Sequence, residues 1–233
     1  MKKIGLIVFV VCVVVGLSLA NFFSFGRLSE KPFGIKIDFG RQTGSGNIVS
    51  QKREVSNFKS VDVSSAFVVE IVAGKDFSVE VQADDNLLPL IETSVSGGTL
   101  HIGTEKSVST KNDMIVRITA PEIEKIEASG ACKVNASGIT NKSLTIDTSG
   151  ASKISVTGET SELSVEVSGA SNIDTDQLKT VNANIEASGA SKVYVNVSGD
   201  LHAQASGASR IVYSGEPRSL DVDKSGGGSV TRK

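Results

Sequence analysis

The second half of this sequence repeats itself about every 19 residues, and that period limits the architectures open to it. The tripeptide Ser-Gly-Ala occurs five times and is followed by a degenerate Ser-Gly-Gly. These six copies begin at Ser129, Ser149, Ser168, Ser188, Ser206 and Ser225. Their spacings are 20, 19, 20, 18 and 19 residues, which indicates one structural unit repeated along the chain.

Equivalent positions in the copies carry the same type of side chain. The position three residues before the serine is apolar, and it is occupied by Ile126, Ile146, Val165, Ile185, Ala203 and Val222. The position five residues after the serine is also apolar, and it is occupied by Val134, Ile154, Ile173, Val193, Ile211 and Val230. Polar residues alternate with these apolar ones. The pattern predicts two strands, each with one face inward, joined by a bend of small residues.

The length of the repeat distinguishes between all-β architectures. A propeller blade takes about 40 residues, roughly twice the observed period. Coils of about 19 residues that stack on one another explain why each turn needs the same residue types, because equivalent side chains then lie about 4.8 Å apart. The sequence therefore predicts an all-β parallel β-helix, a solenoid, over residues 44–233, with regular repeats in 124–233.

Two further predictions concern the bend and the earlier part of this domain. The bend glycine allows a sharp turn, and the alanine after it is expected to face the next coil, where Leu in place of Ala151 or Ala170 would clash. Residues 47–126 are expected to form less regular coils of the same kind. Within them, residues 63–68 resemble a degenerate copy of the bend.

The N-terminus has the pattern of an export signal. Two lysines precede an apolar run at residues 4–17, and Ser18 and Ala20 suit the −3 and −1 positions of a cleavage site. The apolar stretch can also be extended to Phe25, which makes it long enough to cross a bilayer. Residues 1–20 are therefore predicted to be a hydrophobic leader helix, either a cleaved signal peptide or an uncleaved membrane anchor. Both alternatives place the remaining chain outside the cytoplasm, in the periplasm, the cell envelope or the medium.

Composition and charge exclude several functional classes. Residues 21–43, punctuated by Pro32, Gly34 and Gly40, are predicted to be a linker. The whole chain has a net charge of −2, which argues against a nucleic-acid partner held through phosphates. The two cysteines are too few for a disulfide-dense scaffold or a four-thiolate zinc site. Cys12 lies in the leader, so Cys132 would be the one thiol of a processed chain.

The repeated Ser-Gly-Ala-Ser-Lys bends resemble those of the head GIN domain family, the auto-transporter adhesins. Three further segments carry the same resemblance, and they are residues 44–48 (GSGNI), 53–58 (REVSNF) and 83–89 (ADDNLLP). The resemblance covers roughly residues 44–215. It implies a bacterial, exported protein of stacked short strands and, from the family's name, a role in adhesion. It implies no set of functional residues. The chain departs from the pattern at Cys132, where the other four copies have serine.

An acidic column is the most distinctive feature of the predicted surface. Two residues before the bend serine stand Glu127, Asp147, Glu166, Glu186, Gln204 and Asp223. If the coils stack in register, the five carboxylates among them line one outer edge, and neighbouring ones repel by about 1 kcal/mol per pair at the dielectric constant of water. A column of Lys and Arg lies six residues further on, across the bend, and is a candidate for offsetting that repulsion. A solvated outer face is the simpler interpretation, and a ladder of calcium ions is the alternative.

Candidates for catalysis are weak. A nucleophilic serine needs a positioned base, and the only histidines are His101 and His202, both predicted to lie at outward strand positions. The repeated serines suit packing and hydrogen bonding in a tight bend. Lys133 beside Cys132 could lower the pKa of that thiol, but a small residue filling the bend is the simpler interpretation. The sequence predicts no catalytic residue, no cofactor-binding residue and no metal ligand.

These observations favour an exported structural or interaction module of the cell envelope that presents a rigid, repetitive β-helix surface. No enzymatic activity and no cofactor are expected. The partner is an unidentified envelope or extracellular polymer or protein, and self-association is left open. Contact with the membrane is expected only through the leader, if it is not cleaved. The alternatives are an enzyme acting on polysaccharide and a cation-binding ladder on an envelope polymer.

Overall fold

The computed structural model describes residues 41–233, so the predicted leader and most of the predicted linker lie outside the described residues. This part of the chain forms 18 β-strands and one short 3₁₀ helix, Leu88–Leu90. The strands before the regular repeats are β1 (Gln42–Thr43), β2 (Ile48–Arg53), β3 (Ser60–Ser65), β4 (Phe67–Ala73), β5 (Ser78–Asp84), β6 (Ile91–Ser96), β7 (Thr99–Thr104), β8 (Val108–Ser109) and β9 (Met114–Ala120). The strands of the regular repeats are β10 (Lys125–Gly130), β11 (Lys133–Gly150), β12 (Lys153–Val167), β13 (Asn172–Ala187), β14 (Lys192–Val197), β15 (Asp200–Ala205), β16 (Arg210–Ser214), β17 (Ser219–Lys224) and β18 (Ser229–Arg232).

The regular strands stack as a solenoid of about 5 turns, which confirms the prediction of an all-β solenoid. All pairings among β10–β18 are parallel. Ile146 lies between Ile126 and Val165 in the register of adjacent strands, and Val165 is followed by Ile185. Each of these four side chains is at most 1% exposed. The repeated apolar residues therefore form vertical files through the core.

Each coil contributes to two sheets that meet at the Ser-Gly-Ala bend. We call them the pre-bend sheet and the post-bend sheet. The pre-bend sheet has the order β6, β7, β3, β10, then the C-terminal parts of β11, β12 and β13, then β15 and β17. The post-bend sheet has the order β2, β5, β9, β4, then the N-terminal parts of β11, β12 and β13, then β14, β16 and β18. The three long strands turn between the sheets at register shifts, such as the one between Ala136 and Ile139.

The bend glycines are required by the stacking. Gly150 has φ +101°, and a Cβ atom built on it would lie 2.5 Å from the carbonyl oxygen of Gly130 in the next coil. An L side chain there would meet both a disfavoured backbone conformation and a steric clash. The prediction that glycine serves the sharp turn agrees with this geometry.

The prediction for the alanine after the glycine is wrong. All five alanines are exposed, and they are Ala131, Ala151, Ala170, Ala190 and Ala208. The side chain that enters the core at the bend is the next one, so the interior file consists of Cys132, Ser152, Ser171, Ser191 and Ser209. The buried hydroxyls bond to the backbone: Ser191 Oγ donates to the carbonyl oxygen of Ser188 at 3.0 Å.

The prediction for residues 47–126 is only partly right. Strands β3 and β4 form a coil in register with the regular ones, and Ser65 takes the place of the bend glycine with φ +80°. However, β2, β5 and β6 are antiparallel to their neighbours. The coil of β7 and β9 also lies on the far side of the earlier coil of β3 and β4. In chain order, β3 and β4 therefore come before β7 and β9, although the coil of β7 and β9 lies further from the regular repeats. After β9 the chain returns to the other side of β3 and continues as β10.

One hydrophobic core runs through the solenoid and continues into this antiparallel region. Its members there include Phe58, Leu88 and Ile91. Phe58 packs against Phe77 with ring centroids 5.1 Å apart. The antiparallel strands β5 and β6 thus cover the edge of the coil formed by β7 and β9. The apolar side chains of that coil are therefore packed on both sides.

Candidate functional site

Two files of charged side chains on the outer surface are the strongest candidate for a functional site. The first, the acidic file, lies on the pre-bend sheet and consists of Asp62, Glu127, Asp147, Glu166, Glu186, Gln204 and Asp223. The register places each member beside the next on adjacent strands, about 4.8 Å apart. The predicted acidic column is therefore confirmed as a continuous file, and it gains Asp62 from the earlier coil.

Lys125 compensates part of the acidic file. Its Nζ lies 2.9 Å from Glu127 Oε1 and 2.9 Å from Asp147 Oδ2. The hydrogen bonds to Asp147 and then Glu127 raise the pKa of the Lys125 ammonium. At one end of the file, His101 Nδ1 lies 3.0 Å from Asp62 Oδ2. The sequence suggested that the Lys and Arg column across the bend offsets the repulsion between the carboxylates. The structure shows instead that Lys125, on the same sheet as the acidic file, forms the ion pairs with it.

Shallow depressions run along the acidic file on the side of the bend. Their walls are the carboxylates and the bend serines, and Glu166 and Ser168 are shared by two neighbouring depressions. Within residues 41–233, no three His, Cys, Asp or Glu side chains are grouped closely enough to hold a metal ion. What the acidic file presents is an open, evenly spaced row of acceptors.

The second file, the basic file, lies on the post-bend sheet. It consists of Lys133, Lys153, Asn172, Lys192 and Arg210 in register on five adjacent strands. Lys192 Nζ lies 4.7 Å from the centroid of the Tyr194 ring, a cation–π contact. In the part of the chain that the structure describes, none of the four cationic groups forms an ion pair with a carboxylate.

The histidines occupy outward positions, as predicted. His202 Nδ1 lies 2.8 Å from Asp221 Oδ2, and its Nε2 lies 2.8 Å from the amide nitrogen of Gln204. Across residues 41–233, neither imidazole is hydrogen-bonded to a serine or threonine hydroxyl. The bend serines bond to backbone instead: Ser188 Oγ donates to the carbonyl oxygen of Val167 at 3.1 Å.

Cys132 is a buried member of the bend and has an unreactive setting. It is 2% exposed, and its Sγ lies 3.2 Å from the carbonyl oxygen of Ser65 and 3.4 Å from that of Ser129. Burial raises the pKa of the thiol. The interpretation of Cys132 as a small residue filling the bend agrees with this geometry.

Sequence reasoning missed a buried carboxylate at the end of β5. Asp84 is 1% exposed, and it accepts hydrogen bonds from the Thr110 hydroxyl, from the N–H of Gly46 at 2.6 Å and from Asn112 Nδ2 at 3.2 Å. The bond from Thr110 is the main reason that the pKa of Asp84 is lowered, despite the cost of burial. No signal in the sequence pointed to this burial, because Val81 and Ala83 face inward and alternation alone would place Asp84 on the outer face.

Asp85, the next residue, is exposed and contacts the segment at residues 45–47. It accepts hydrogen bonds from the side chains of Asn47 and Ser45, which lower its pKa. Asn86 Oδ1 accepts from the N–H of Ser45 at 2.9 Å. These contacts join two of the segments that carried the family resemblance, residues 44–48 and 83–89, and they give both a structural role.

Comparisons with known proteins agree with this architecture. Residues 57–217 match the family model described as "Putative auto-transporter adhesin, head GIN domain". No curated protein matches the chain. The structure is similar to the crystal structure of a putative adhesin from Bacteroides fragilis, with a TM-score of 0.68 and 20% identity over 82% of this chain and 99% of that one. A putative adhesin from Parabacteroides merdae has a TM-score of 0.49 and 16% identity over 83% of this chain and 99% of that one. At 20% identity, the first likeness shows the fold alone.

Proposed function

The chain belongs to the head GIN domain family, and from this membership we propose that it is an exported interaction module of the bacterial cell envelope. It acts by binding, through side chains that a rigid solenoid holds at fixed spacing, and no catalytic step is part of the proposal. The observation that carries the proposal is the pair of charged files, because both keep register across at least five strands.

Rigidity makes such a surface suited to recognition. Side chains in one file are separated by the spacing of strands, and the backbone of each strand is hydrogen-bonded to its neighbours. A partner with a repeating surface can therefore bind many weak groups at once without ordering the protein first, which reduces the entropic cost of association.

Export is the second part of the proposal. It is supported by the family's description as adhesins and by the export pattern of residues 1–20. Among residues 41–233, no helix has the length and apolar character needed to cross a membrane. Cell fractionation with mass spectrometry of the N-terminus tests this part: recovery in the cytoplasmic fraction with an intact Met1 would contradict it, whereas recovery in the membrane or envelope fraction fits the anchored or the cleaved alternative.

Binding is tested with fluorescently labelled full chain and isolated bacterial envelopes at physiological salt. Saturable binding is expected. The test variant has Lys153, Lys192, Glu166 and Glu186 all changed to Gln. These changes remove two charges of each sign, so the net charge is the same as in the wild type. Weaker binding by this variant, with unchanged circular dichroism, is expected. Failure of the wild-type chain to bind any envelope preparation would count against the adhesive function.

A further inference from the structure

We infer that the basic file is a docking surface for a linear anionic polysaccharide, one that carries a carboxylate on each sugar ring. The inference rests on the proposed binding function and names the chemistry of the partner for one of its two surfaces.

The charge of the basic file is not used within the described structure. Lys133 and Lys153 are neighbours in register, as are Lys192 and Arg210. Like charges held this close repel one another. A ligand with a row of negative charges would remove that repulsion and gain a contact from each strand.

Among residues 41–233, no carboxylate on the same sheet forms an ion pair with the file. The nearest acidic position by register is Asp174, two residues along β13 from Asn172. Its Oδ1 accepts the N–H of Asp176 at 3.2 Å, so it is engaged with its own turn. Glu70 and Arg117, on the first coils of this sheet, pair with each other, with Arg117 Nε 3.1 Å from Glu70 Oε2. The cations of the file remain available to a partner.

The spacing selects the class of polymer. Four strand steps separate Lys133 from Arg210, which corresponds to a straight row of about 19 Å at 4.8 Å per strand. An extended polyuronate also has a straight axis, and it carries one carboxylate per ring along that axis. A nucleic-acid strand carries one charge per about 3.4 Å along a path that coils around the helix axis, so a straight file contacts few successive phosphates. The acidic file lies on the other sheet, so a polymer on the post-bend sheet need not pass over it.

The anchoring groups are suited to carboxylates. Arg210 offers a planar fork of donors that can bind a carboxylate through two hydrogen bonds, and each lysine offers a compact ammonium. The contact with the Tyr194 ring restricts where the Lys192 ammonium can lie. Asn172, in the middle of the file, adds an uncharged amide; its Oδ1 is buried, so Nδ2 is the group that can donate to a ring hydroxyl.

The test measures binding of the full chain to immobilised polygalacturonate, with neutral amylose as the blank. Saturable binding is expected that weakens as salt rises from about 50 to about 200 mM. The double variant Lys153→Gln/Lys192→Gln should lose about tenfold or more in affinity, whereas Lys153→Arg/Lys192→Arg should keep it. The matched control is Lys142→Gln/Lys179→Gln, which removes the same charge from exposed positions outside the file and should change affinity less than about threefold.

The outcomes separate this inference from the proposed function. Binding to envelopes without binding to polygalacturonate would overturn the inference and leave the proposed function standing, and if protease treatment of the envelopes abolished that binding, the partner would be a protein. Equal loss in the two Gln double variants would show that only overall charge matters and would also overturn it. So would competition by duplex DNA at equal charge concentration. Absence of binding to envelopes and to polygalacturonate would count against both.

Discussion

At the scale of single residues, the bend glycines are the positions with the least tolerance. Gly150→Ala is expected to lower the free energy of unfolding by about 2–4 kcal/mol, because the methyl group adds a left-handed backbone penalty to a clash with the carbonyl oxygen of Gly130. Urea denaturation followed by circular dichroism measures the change.

The adjacent alanine gives the matched control. Ala151→Leu places a much larger side chain one residue further along, where the structure has an exposed position. Its effect is expected to stay within about 0.5 kcal/mol. A loss as large as that of Gly150→Ala would mean that the alanine faces the neighbouring coil after all.

Asp84 makes the stability of the folded protein depend on pH. Its pKa is lowered in the folded protein, so its carboxylate contributes stability at a pH above its unfolded pKa of about 3.9, and that contribution is lost as the pH falls through the lower folded pKa. The melting temperature of the wild type should therefore fall below about pH 4, and Asp84→Asn should show a flatter acid limb and a lower melting temperature at neutral pH. Asp76→Asn, at an exposed position, is the control. Parallel curves for wild type and Asp84→Asn would exclude this role.

At the scale of the strand, Lys125 is expected to hold adjacent members of the acidic file together. Lys125→Gln should destabilise by less than about 1 kcal/mol, because the ion pairs to Glu127 and Asp147 are partly exposed. The deficit should shrink as NaCl is raised towards about 1 M, since salt screens the repulsion that remains between the carboxylates. Lys142→Gln removes a lysine outside the files, and denaturation of both variants at low and high salt gives the comparison. A deficit that does not change with salt would point to lost packing of the lysine stem instead.

Strands in the repeat were predictable because the alternation and the period agreed. Ile146, Val165 and Ile185 recur at the same place in each copy, and only stacking in register buries all of them. The order of the first coils was not predictable in this way. Strand β3 has the same alternation as β7, and nothing in either sequence says which lies next to β10. The antiparallel strands β5 and β6 settle that order, through tertiary packing.

The charged files were also predictable only in part. Their membership follows from the period, so Glu166 and Lys192 could be placed from the sequence. Their compensation could not, because Lys125 precedes the first bend and reaches Asp147 on the next strand only after stacking. Asp84 was missed since a polar residue at the end of a strand usually marks a turn, and its donors come from Gly46 and Thr110, far away in the sequence.

At the scale of the whole molecule, local unfolding is expected to begin at the coil of β17 and β18. Each coil contacts only its neighbours, so its protection depends on having one on both sides. Within residues 41–233, β17 and β18 are each paired along one edge only, and Leu220 is 45% exposed whereas the equivalent Leu163 is 2% exposed. Hydrogen exchange measured by mass spectrometry should be faster for residues 219–232 than for residues 153–187. Uniform protection would show that the solenoid unfolds as one cooperative unit.

Because neighbouring coils present nearly the same upper and lower surfaces, the number of coils can vary without a change in design. A duplication of residues 149–167 would insert one more carboxylate on one side and one more ammonium on the other, and the flanking turns would meet surfaces like those they meet already. Reach along the axis and strength of attachment would then grow together in increments of a single turn. A protein built in this way can be fitted to partners of different length by copying or deleting a short segment of its gene.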